Sequence, residues 1–349
     1  MVVVKLKKNI FQAILVVLSL IFMFKIPYAV TSGVTEGLQI CFYVILPSLF
    51  PFMVVSTYII KSNIFGFAYR FLAPISQWLF RQPACAIPVI IMSMIGGFPV
   101  GIKMVNNLLN DSAITKNQAQ RLCIFCMNGG PAFVITAVGV NMFKSTKLGV
   151  IMFASLCMSS LIIGVFTRFL GDKNELKEYY EAQSSLSSLS SAVSDALQSV
   201  LGICAWVVIF SAVTNCLKIC MKNENIFVAF TSILEVTKGC MTLVGKTPIP
   251  VITAVIGFGG ICVHCQVMAN VKNCGLKYSH FFVYKILNGA LASFISYLLL
   301  LVFPVDINVF APLQNATIST FSVSLPAFFT FAIMCIIMIF DIDRKKKVW

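Results

Sequence analysis

Charged residues are scarce in this sequence. Only 11% of its 349 residues are Asp, Glu, Lys or Arg, whereas soluble domains carry roughly 25%. Hydrophobic residues make up 59%, and the mean hydropathy is +0.93. This composition excludes an ordinary soluble domain and predicts an integral membrane protein in contact with a lipid bilayer.

Acidic residues are the scarcer charge, because 12 Asp and Glu stand against 26 Lys and Arg, a net charge of +14. Nucleic-acid-binding proteins share such an excess, but here the basic residues lie in short loops and at the two ends. We therefore expect no nucleic-acid partner and a positive-inside topology. Lys5, Lys7 and Lys8 at one end and "DRKKK" (343–347) at the other predict that both termini are cytoplasmic.

Alternation of apolar and polar residues, the pattern of membrane β-strands, is also lacking, since the apolar residues form long runs. The predicted fold class is an all-α polytopic membrane protein with about eight transmembrane helices and two re-entrant hairpins. The apolar windows, each near the ~20 residues that a spanning helix needs, begin near Ile10, Leu38, Leu122, Leu148, Leu197, Val251, Phe282 and Ile318.

Residues 1–35 fit a signal peptide or a first anchor helix, and we favour the anchor because no small-x-small cleavage pattern follows closely. The one long polar stretch, 171–194, is acidic and then Ser-rich, which predicts a linker between two membrane halves, 36–170 and 195–303. We predict that residues 304–349 form a last helix and a basic tail. Lys272, Lys277 and Lys285 flank the turn before the last two spans.

The two halves carry a weak repeat. "EGLQ" from Glu36 resembles "DALQ" from Asp195, and two short apolar arms around a polar break follow in each half. The breaks are "GGFPVGIK", which ends at Lys103, and "LEVTKG", which contains Lys238. Because neither arm reaches ~20 residues, we predict re-entrant hairpins with tips near mid-membrane.

A glycine-rich interruption follows each hairpin, "NGGP" (128–131) and "GFGG" (257–260). If the hairpins do not cross the membrane, three spans separate the units and the second is inverted. If both cross, ten spans and parallel repeats result. The short arms favour the first alternative, and paired interruptions in repeated halves indicate a transporter's binding site at the midplane.

Four motifs in this order, "LPSLFPFMVVS" (46–56), "GGFPVGIKMVNNL" (96–108), "NGGPAFVITAVGVNMF" (128–143) and "GFGGICVHCQVM" (257–268), resemble the YlbJ-type sporulation integral membrane proteins. That family belongs to the nucleoside-recognition, or Gate, domain group. The resemblance implies two inverted Gate-like repeats, residence in the mother-cell-derived membrane around the forespore, and transport of dipicolinic acid. Nucleoside transport is the alternative within the group, although Lys103 replaces the acidic hairpin signature of nucleoside carriers.

A lysine inside a membrane segment needs a counter-charge, a wet cavity or a ligand, and Lys103 has no acidic residue nearer than Asp111. Helix N-termini at the breaks also favour anions. We predict that dipicolinate lies between the hairpin tips, with one carboxylate on Lys103 and the other near Lys238 or the interruption at Gly259 and Gly260. The predicted substrate-binding residues are Lys103, Gly97, Gly101, Asn128, Gly129, Gly130, Lys238, Glu235, Gly259, Gly260, His264 and Gln266.

Structural alternatives stand beside these assignments. Lys103 is long enough to snorkel to the headgroups, and Glu235 precedes Lys238 by three residues, the spacing of an intrahelical ion pair. The glycines are also typical of closely packed helices. A non-transporting scaffold or regulator of spore-envelope assembly is therefore the other class of function, and a homo-oligomer stays open.

Catalytic and metal-binding patterns are lacking. "CVHC" (262–265) has zinc-binding residue types, but no second cluster completes four ligands, so we expect no metal. The thirteen cysteines are scattered through apolar windows and do not form a disulfide framework. Since no nucleophile, base and orienting group occur at motif spacing, we expect no enzyme activity and no cofactor.

Overall fold

The computed structural model describes residues 23–61, 72–170, 189–221, 223–271 and 274–305, together with residues 17 and 21. These residues form helices and connecting turns, and no β-strand is present among them. The predicted spans beginning near Ile10 and Ile318, most of the predicted linker and the C-terminal basic tail lie outside the described residues.

Six α-helices with fully described bounds lie in each half. The first half contains α1 (Pro27–Ile40), α2 (Leu46–Lys61), α3 (Ala86–Gly96), α4 (Phe98–Asn110), α5 (Lys116–Phe125) and α6 (Thr146–Thr167). The second half contains α7 (Leu189–Cys220), α8 (Glu224–Leu234), α9 (Val236–Leu243), α10 (Ile249–Phe258), α11 (Gly260–Asn270) and α12 (Tyr278–Val302). Wider π-helical segments are Cys41–Ile45, Ser76–Phe80 and Ala132–Met142, and a 3-10 turn, Arg168–Leu170, follows α6.

Short polar residues fix several helix starts. Thr115 and Gln118 form a reciprocal capping box at α5, and the Ser145 hydroxyl accepts a hydrogen bond from the Leu148 amide at α6. Asn223 caps α8 in the same way. Such caps satisfy amides that the first helical turn leaves without partners. Helix α7 begins at Leu189 and so includes the last residues of the predicted linker.

Five stretches of the described chain are long and apolar enough to cross a membrane. They are Pro27–Ile59, Thr146–Leu170, Leu189–Cys220, Ile249–Asn270 and Tyr278–Val302. They contain the windows predicted from Leu38, Leu148, Leu197, Val251 and Phe282. The protein is a multi-pass integral membrane protein, as its composition predicts.

The predicted span from Leu122 is not one continuous helix. Helix α5 ends at Phe125, residues 127–130 are non-helical, and the π-helix Ala132–Met142 follows. Gly129 and Gly130 have no side chain to favour helix, and Pro131 donates no backbone hydrogen bond. The glycine-rich interruption thus divides this segment into two half-helices.

Helices α1 and α7 pack in antiparallel directions at very close range. A Cβ built on Gly33 would lie 2.6 Å from the Ala212 Cα, and one built on Gly37 would lie 2.8 Å from the Val208 Cα. One turn further, the Cys41 thiol donates to the Cys204 carbonyl at 3.7 Å. Positions rise along α1 as they fall along α7, so the first helices of the two halves run in opposite directions.

Two helical hairpins follow, one in each half. In the first hairpin the arms α3 and α4 contain 11 and 13 residues, and in the second the arms α8 and α9 contain 11 and 8 residues. At ~1.5 Å per residue even the longest arm measures about 20 Å, less than the ~30 Å hydrocarbon core. Small residues hold the arms together, because Cβ atoms on Gly101 and Gly239 would lie 2.8 Å and 2.6 Å from Ser93 and Ser232 atoms.

The breaks in these hairpins are shorter than the sequence predicts. In the first hairpin only Gly97, with φ +75°, separates α3 from α4. Pro99 is part of the first turn of α4, where its missing N–H costs no hydrogen bond. In the second hairpin only Glu235 is non-helical, and the rest of "LEVTKG" is helix.

Each glycine-rich interruption contacts the hairpin tip of its own half. A Cβ on Gly97 would lie 3.0 Å from the Gly130 amide nitrogen, and a Cβ on Gly260 would lie 3.1 Å from the Val236 amide nitrogen. Gly260 also has a positive φ of +73°. Glycine is required at these contacts because the two backbones touch without intervening side chains.

Candidate functional site between the hairpin tips

A pocket opens between the two hairpin tips. Its empty volume is about 640 Å³, which includes the space that is open to the surroundings. The tips, the interruption after α5, and helices α2, α7 and α11 all contribute to its wall. The wall is mostly apolar and contains the aromatic rings of Phe52, Phe98 and Phe133. Glu235, Thr237 and Gln266 supply its polar side chains, and no basic residue is among the described residues that line it.

Glu235 is buried and caps helix α9. Its Oε1 accepts a hydrogen bond from the Thr237 amide at 2.9 Å, and its Oε2 accepts one from the Lys238 amide at 2.6 Å. A carboxylate at this position also interacts favourably with the positive end of the helix dipole. Helix α4, whose N-cap residue Gly97 lines the same pocket, has no side-chain cap.

Lys238 contacts the other half of the chain. Its ammonium lies 2.7 Å from Glu36 Oε2 and donates to Asn215 Oδ1 at 2.8 Å. The intrahelical ion pair with Glu235 considered above is therefore wrong. The Glu235 carboxylate is turned toward the backbone amides of α9, whereas the long Lys238 side chain extends to α1 and α7.

Lys103 is an exposed residue in the second turn of α4, away from the Gly97 tip. Its ammonium donates to the backbone carbonyl of Asp195 at 3.1 Å. Neither Lys103 nor Lys238 lines the pocket. Each hairpin lysine instead contacts the acidic residue that begins the opposite half, Asp195 for Lys103 and Glu36 for Lys238.

A polar network lies behind the pocket wall, centred on Asn128 and Lys285. Lys285 is fully buried in α12, and its ammonium donates to the Met127 carbonyl at 2.9 Å and to Asn128 Oδ1 at 3.2 Å. The ammonium also lies 5.8 Å from the centre of the Phe98 ring, which lines the pocket. Lys285 is thus not a loop residue flanking a turn, as its sequence position suggests, but part of the protein interior.

Asn288, one turn after Lys285, extends this network to the glycine-rich interruption of the second half. Its Nδ2 donates to Asn128 Oδ1 at 2.8 Å and to the Gly257 carbonyl at 3.1 Å. Its Oδ1 accepts from the Ser159 hydroxyl at 2.6 Å, and Asn128 Nδ2 donates to the Ser160 hydroxyl. The network therefore joins the two glycine-rich interruptions through buried, mutually satisfied polar groups.

The His264 side chain contacts a helix break and does not line the pocket. Its Nε2 lies 3.0 Å from the carbonyl of Phe258, the last residue of α10 before the break at Gly259. Aromatic rings surround the imidazole, the closest being Phe258 at 4.7 Å and Phe281 at 5.1 Å between ring centres. No group of three metal-ligating side chains occurs among the residues that the structure describes.

The predicted site residues fall into three groups. Gly97, Gly129, Gly130, Glu235 and Gln266 line the pocket. Five others lie outside the lining, either in the polar network or at contacts between helices: Gly101, Asn128, Gly259, Gly260 and His264. The two lysines, Lys103 and Lys238, connect the halves.

Sequence reasoning missed Lys285, Asn288 and Asn215 as interior polar residues. Lys285 carried a usable signal, because it stands well inside the apolar run "FFVYKILNGALASF" rather than at its end. Glu36 was noted as the start of a repeat but not as a partner of Lys238, since the two are 202 positions apart.

Comparison with known proteins gives one curated relative. The chain is 24% identical over 313 residues to the "Sporulation integral membrane protein YlbJ" of Bacillus subtilis (strain 168), and the similarity covers 76% of each chain. The predicted resemblance to YlbJ-type proteins is confirmed. No family model matches the chain, and no solved structure matches it. The relative is named as a membrane protein, and the apolar helices of this chain independently indicate a membrane protein.

Proposed function

We propose that this protein is a secondary carrier, rather than an enzyme, that binds a small organic solute between its two hairpin tips. The observation that carries the proposal is the pocket itself, because tips from both halves line it. Broken and re-entrant helices are tolerated in membranes where they line a cavity, and carriers bind substrate at such interfaces between repeats.

Two inverted repeats are part of the proposal. Each half contains, in this order, a long first helix, a hairpin, a segment interrupted by glycine, and a long helix, and the first half adds the π-helical segment Ser76–Phe80 before its hairpin. The antiparallel packing of α1 and α7, with Gly33 beside Ala212 and Gly37 beside Val208, supports the inversion. The exchanged contacts of the two hairpin lysines support it as well, because a twofold axis would interchange them.

These exchanged contacts are suited to alternating access. Extrapolation of the α1 and α7 register places Asp195 about 20 Å along the helix pair from Glu36, at ~1.5 Å per residue. Pocket residues such as Ile45 and Ile203 lie between these two levels. In the proposed cycle, release of the Lys238 contact opens one side of the pocket and release of the Lys103 contact opens the other.

Dipicolinic acid is the substrate that we propose first, during spore formation in the membrane around the forespore, with both termini in the cytoplasm. Its flat aromatic ring fits among Phe52, Phe98 and Phe133. In the second hairpin the Glu235 carboxylate occupies the N-terminus of α9. The N-terminus of α4 at Gly97 has no such side chain, and it offers a place for a substrate carboxylate.

A nucleoside is the second candidate, because the pocket places hydrogen-bonding groups beside aromatic rings. Glu235 and Gln266 can recognise a base or ribose, and the absence of basic side chains from the described lining suits a neutral solute better than a dianion.

Uptake by purified protein in liposomes separates these candidates. We expect accumulation or exchange of labelled dipicolinate, with uridine and adenosine as competitors. Phe98→Ala should lower uptake by about tenfold, the effect of about 1.4 kcal/mol of lost binding. Phe294→Ala is the matched control, because this ring is 59% exposed on α12 and does not line the pocket.

The outcomes are distinct. Preference for a nucleoside would replace the substrate but keep the carrier. A correctly folded protein that neither binds nor exchanges any of these solutes would refute the carrier and favour a scaffold in spore-envelope assembly.

A further inference from the structure

Lys285 places an ionisable amino group inside the protein. The side chain is 1% exposed, and its ammonium makes hydrogen bonds to the Met127 carbonyl and to Asn128 Oδ1. The face of the Phe98 ring lies 5.8 Å away, within the range of a cation–π contact. No carboxylate among the described residues pairs with it. A protonated amine is expensive to bury without a counter-charge, so a specific role for Lys285 is expected.

The groups around this ammonium are neutral oxygens freed by a helix interruption. Met127 and Asn128 belong to the non-helical stretch after α5, so the Met127 carbonyl is available to a ligand. Asn288 ties Asn128 to the Gly257 carbonyl in the other half. Backbone carbonyls and amide oxygens at interrupted helices are the ligands that membrane carriers offer to a monovalent cation.

We propose that this cluster is a monovalent-cation site and that the protonated Lys285 side chain fills it in the wild-type protein. The inference rests on the carrier function proposed above, and it specifies that the carrier works without external sodium. The ammonium replaces a bound ion, holds the two interruptions together, and supports the Phe98 wall of the pocket from behind.

Removal of the built-in cation should create a site for an external one. The test uses full-length Lys285→Ala protein purified in detergent, and its melting temperature is measured in sodium, potassium, ethylammonium and choline chlorides at equal ionic strength. We expect a lower melting temperature than wild type in choline, with a saturable rise in ethylammonium or sodium. Wild type and Lys218→Ala, which removes an exposed lysine from α7, should not respond to the choice of cation.

A second variant guards against failure of the alanine protein to fold. Lys285→Gln retains a side chain that can donate to Met127 and adds an amide oxygen as a ligand, so sodium should raise its melting temperature as well. If a folded variant melts at the same temperature in all four salts, the cation site is refuted.

Uptake by the wild-type protein gives an independent check. We expect equal rates when sodium is replaced by choline, and a strict requirement for sodium would also overturn the inference. Failure of the carrier function is distinguishable, because it would abolish wild-type uptake in every salt while the melting experiments still report on Lys285.

Discussion

The ammonium of Lys238 lies 2.7 Å from the carboxylate of Glu36, although the two residues are 202 positions apart. The Lys238 side chain is 8% exposed, whereas that of Glu36 is 42% exposed. Asn215 Oδ1 also accepts from the same ammonium. The contact joins the second hairpin to the first helices of both halves. Because Lys238 is buried and Glu36 reaches water, removing either side chain should change the stability by a different amount.

We expect Glu36→Ala to destabilise the protein more than Lys238→Ala. Loss of Glu36 leaves a buried ammonium with only an amide partner, which costs about 3–5 kcal/mol when burial is complete. Loss of Lys238 leaves a carboxylate that reaches water, so the cost should be closer to ~1 kcal/mol. Thermal unfolding in detergent measures both.

The exposed pair Lys246–Glu224, at 3.2 Å, is the matched control for this prediction. Its side chains are 59% and 78% exposed, so Lys246→Ala should change the stability by less than ~1 kcal/mol. Equal effects of Glu36→Ala and Lys246→Ala would show that burial of Lys238 has no energetic consequence.

Glu235 should act as a helix cap rather than as an ion-pair partner. Glu235→Ala removes two hydrogen bonds from the start of α9 and should cost about 1–2 kcal/mol. Glu235→Asn keeps a side-chain oxygen that accepts from the same amides and should recover much of this loss. If Asn and Ala were equally harmful in thermal unfolding, the negative charge rather than the cap would be the important property.

Gly260 should not tolerate a side chain. Its φ is +73°, and an added Cβ would lie 3.1 Å from the Val236 amide nitrogen. Gly260→Ala therefore strains the backbone and separates the second hairpin tip from α11. We expect a clear drop in melting temperature and a weakened response to any solute that binds the pocket.

Gly202 is the control for Gly260, because nothing lies within 4 Å of an added Cβ in α7. Gly202→Ala should raise the stability by about 0.5–1 kcal/mol, the usual gain from alanine in a helix interior. An equal loss of stability in Gly202→Ala and Gly260→Ala would mean that neither the φ angle of Gly260 nor its contact with Val236 causes the destabilisation.

Lys103 should influence transport more than substrate affinity. Its ammonium contacts Asp195 outside the pocket wall, so Lys103→Gln should leave solute binding within about twofold and should alter the rate of uptake. Gln266→Ala, in the wall itself, should weaken binding instead. Binding isotherms and initial uptake rates on the same preparations separate the two effects. Loss of binding in Lys103→Gln would restore this lysine as a direct substrate ligand.

Several features of the site followed from the residues. Gly97, Gly129 and Gly130 were predicted at the breaks, and they line the pocket, because glycine permits the irregular backbone and close approach of a helix interruption. The polar break "LEVTKG" was harder to interpret. A charged side chain such as Glu235 can interrupt a helix or cap one, and propensity does not distinguish the two. The ranges of the long helices could be predicted from the sequence because a spanning helix must match the thickness of the bilayer.

The sequence by itself determined the membrane class, five of the long apolar helices and the positions of the hairpin breaks, since these depend on local composition and on backbone hydrogen bonding in lipid. Only the tertiary structure decided that Lys238 pairs with Glu36, that Lys103 contacts Asp195, and that Lys285 lies inside the protein. Lysine side chains are long and flexible, so their partners depend on which helices pack together, and packing joins residues too far apart in the chain for local patterns to connect.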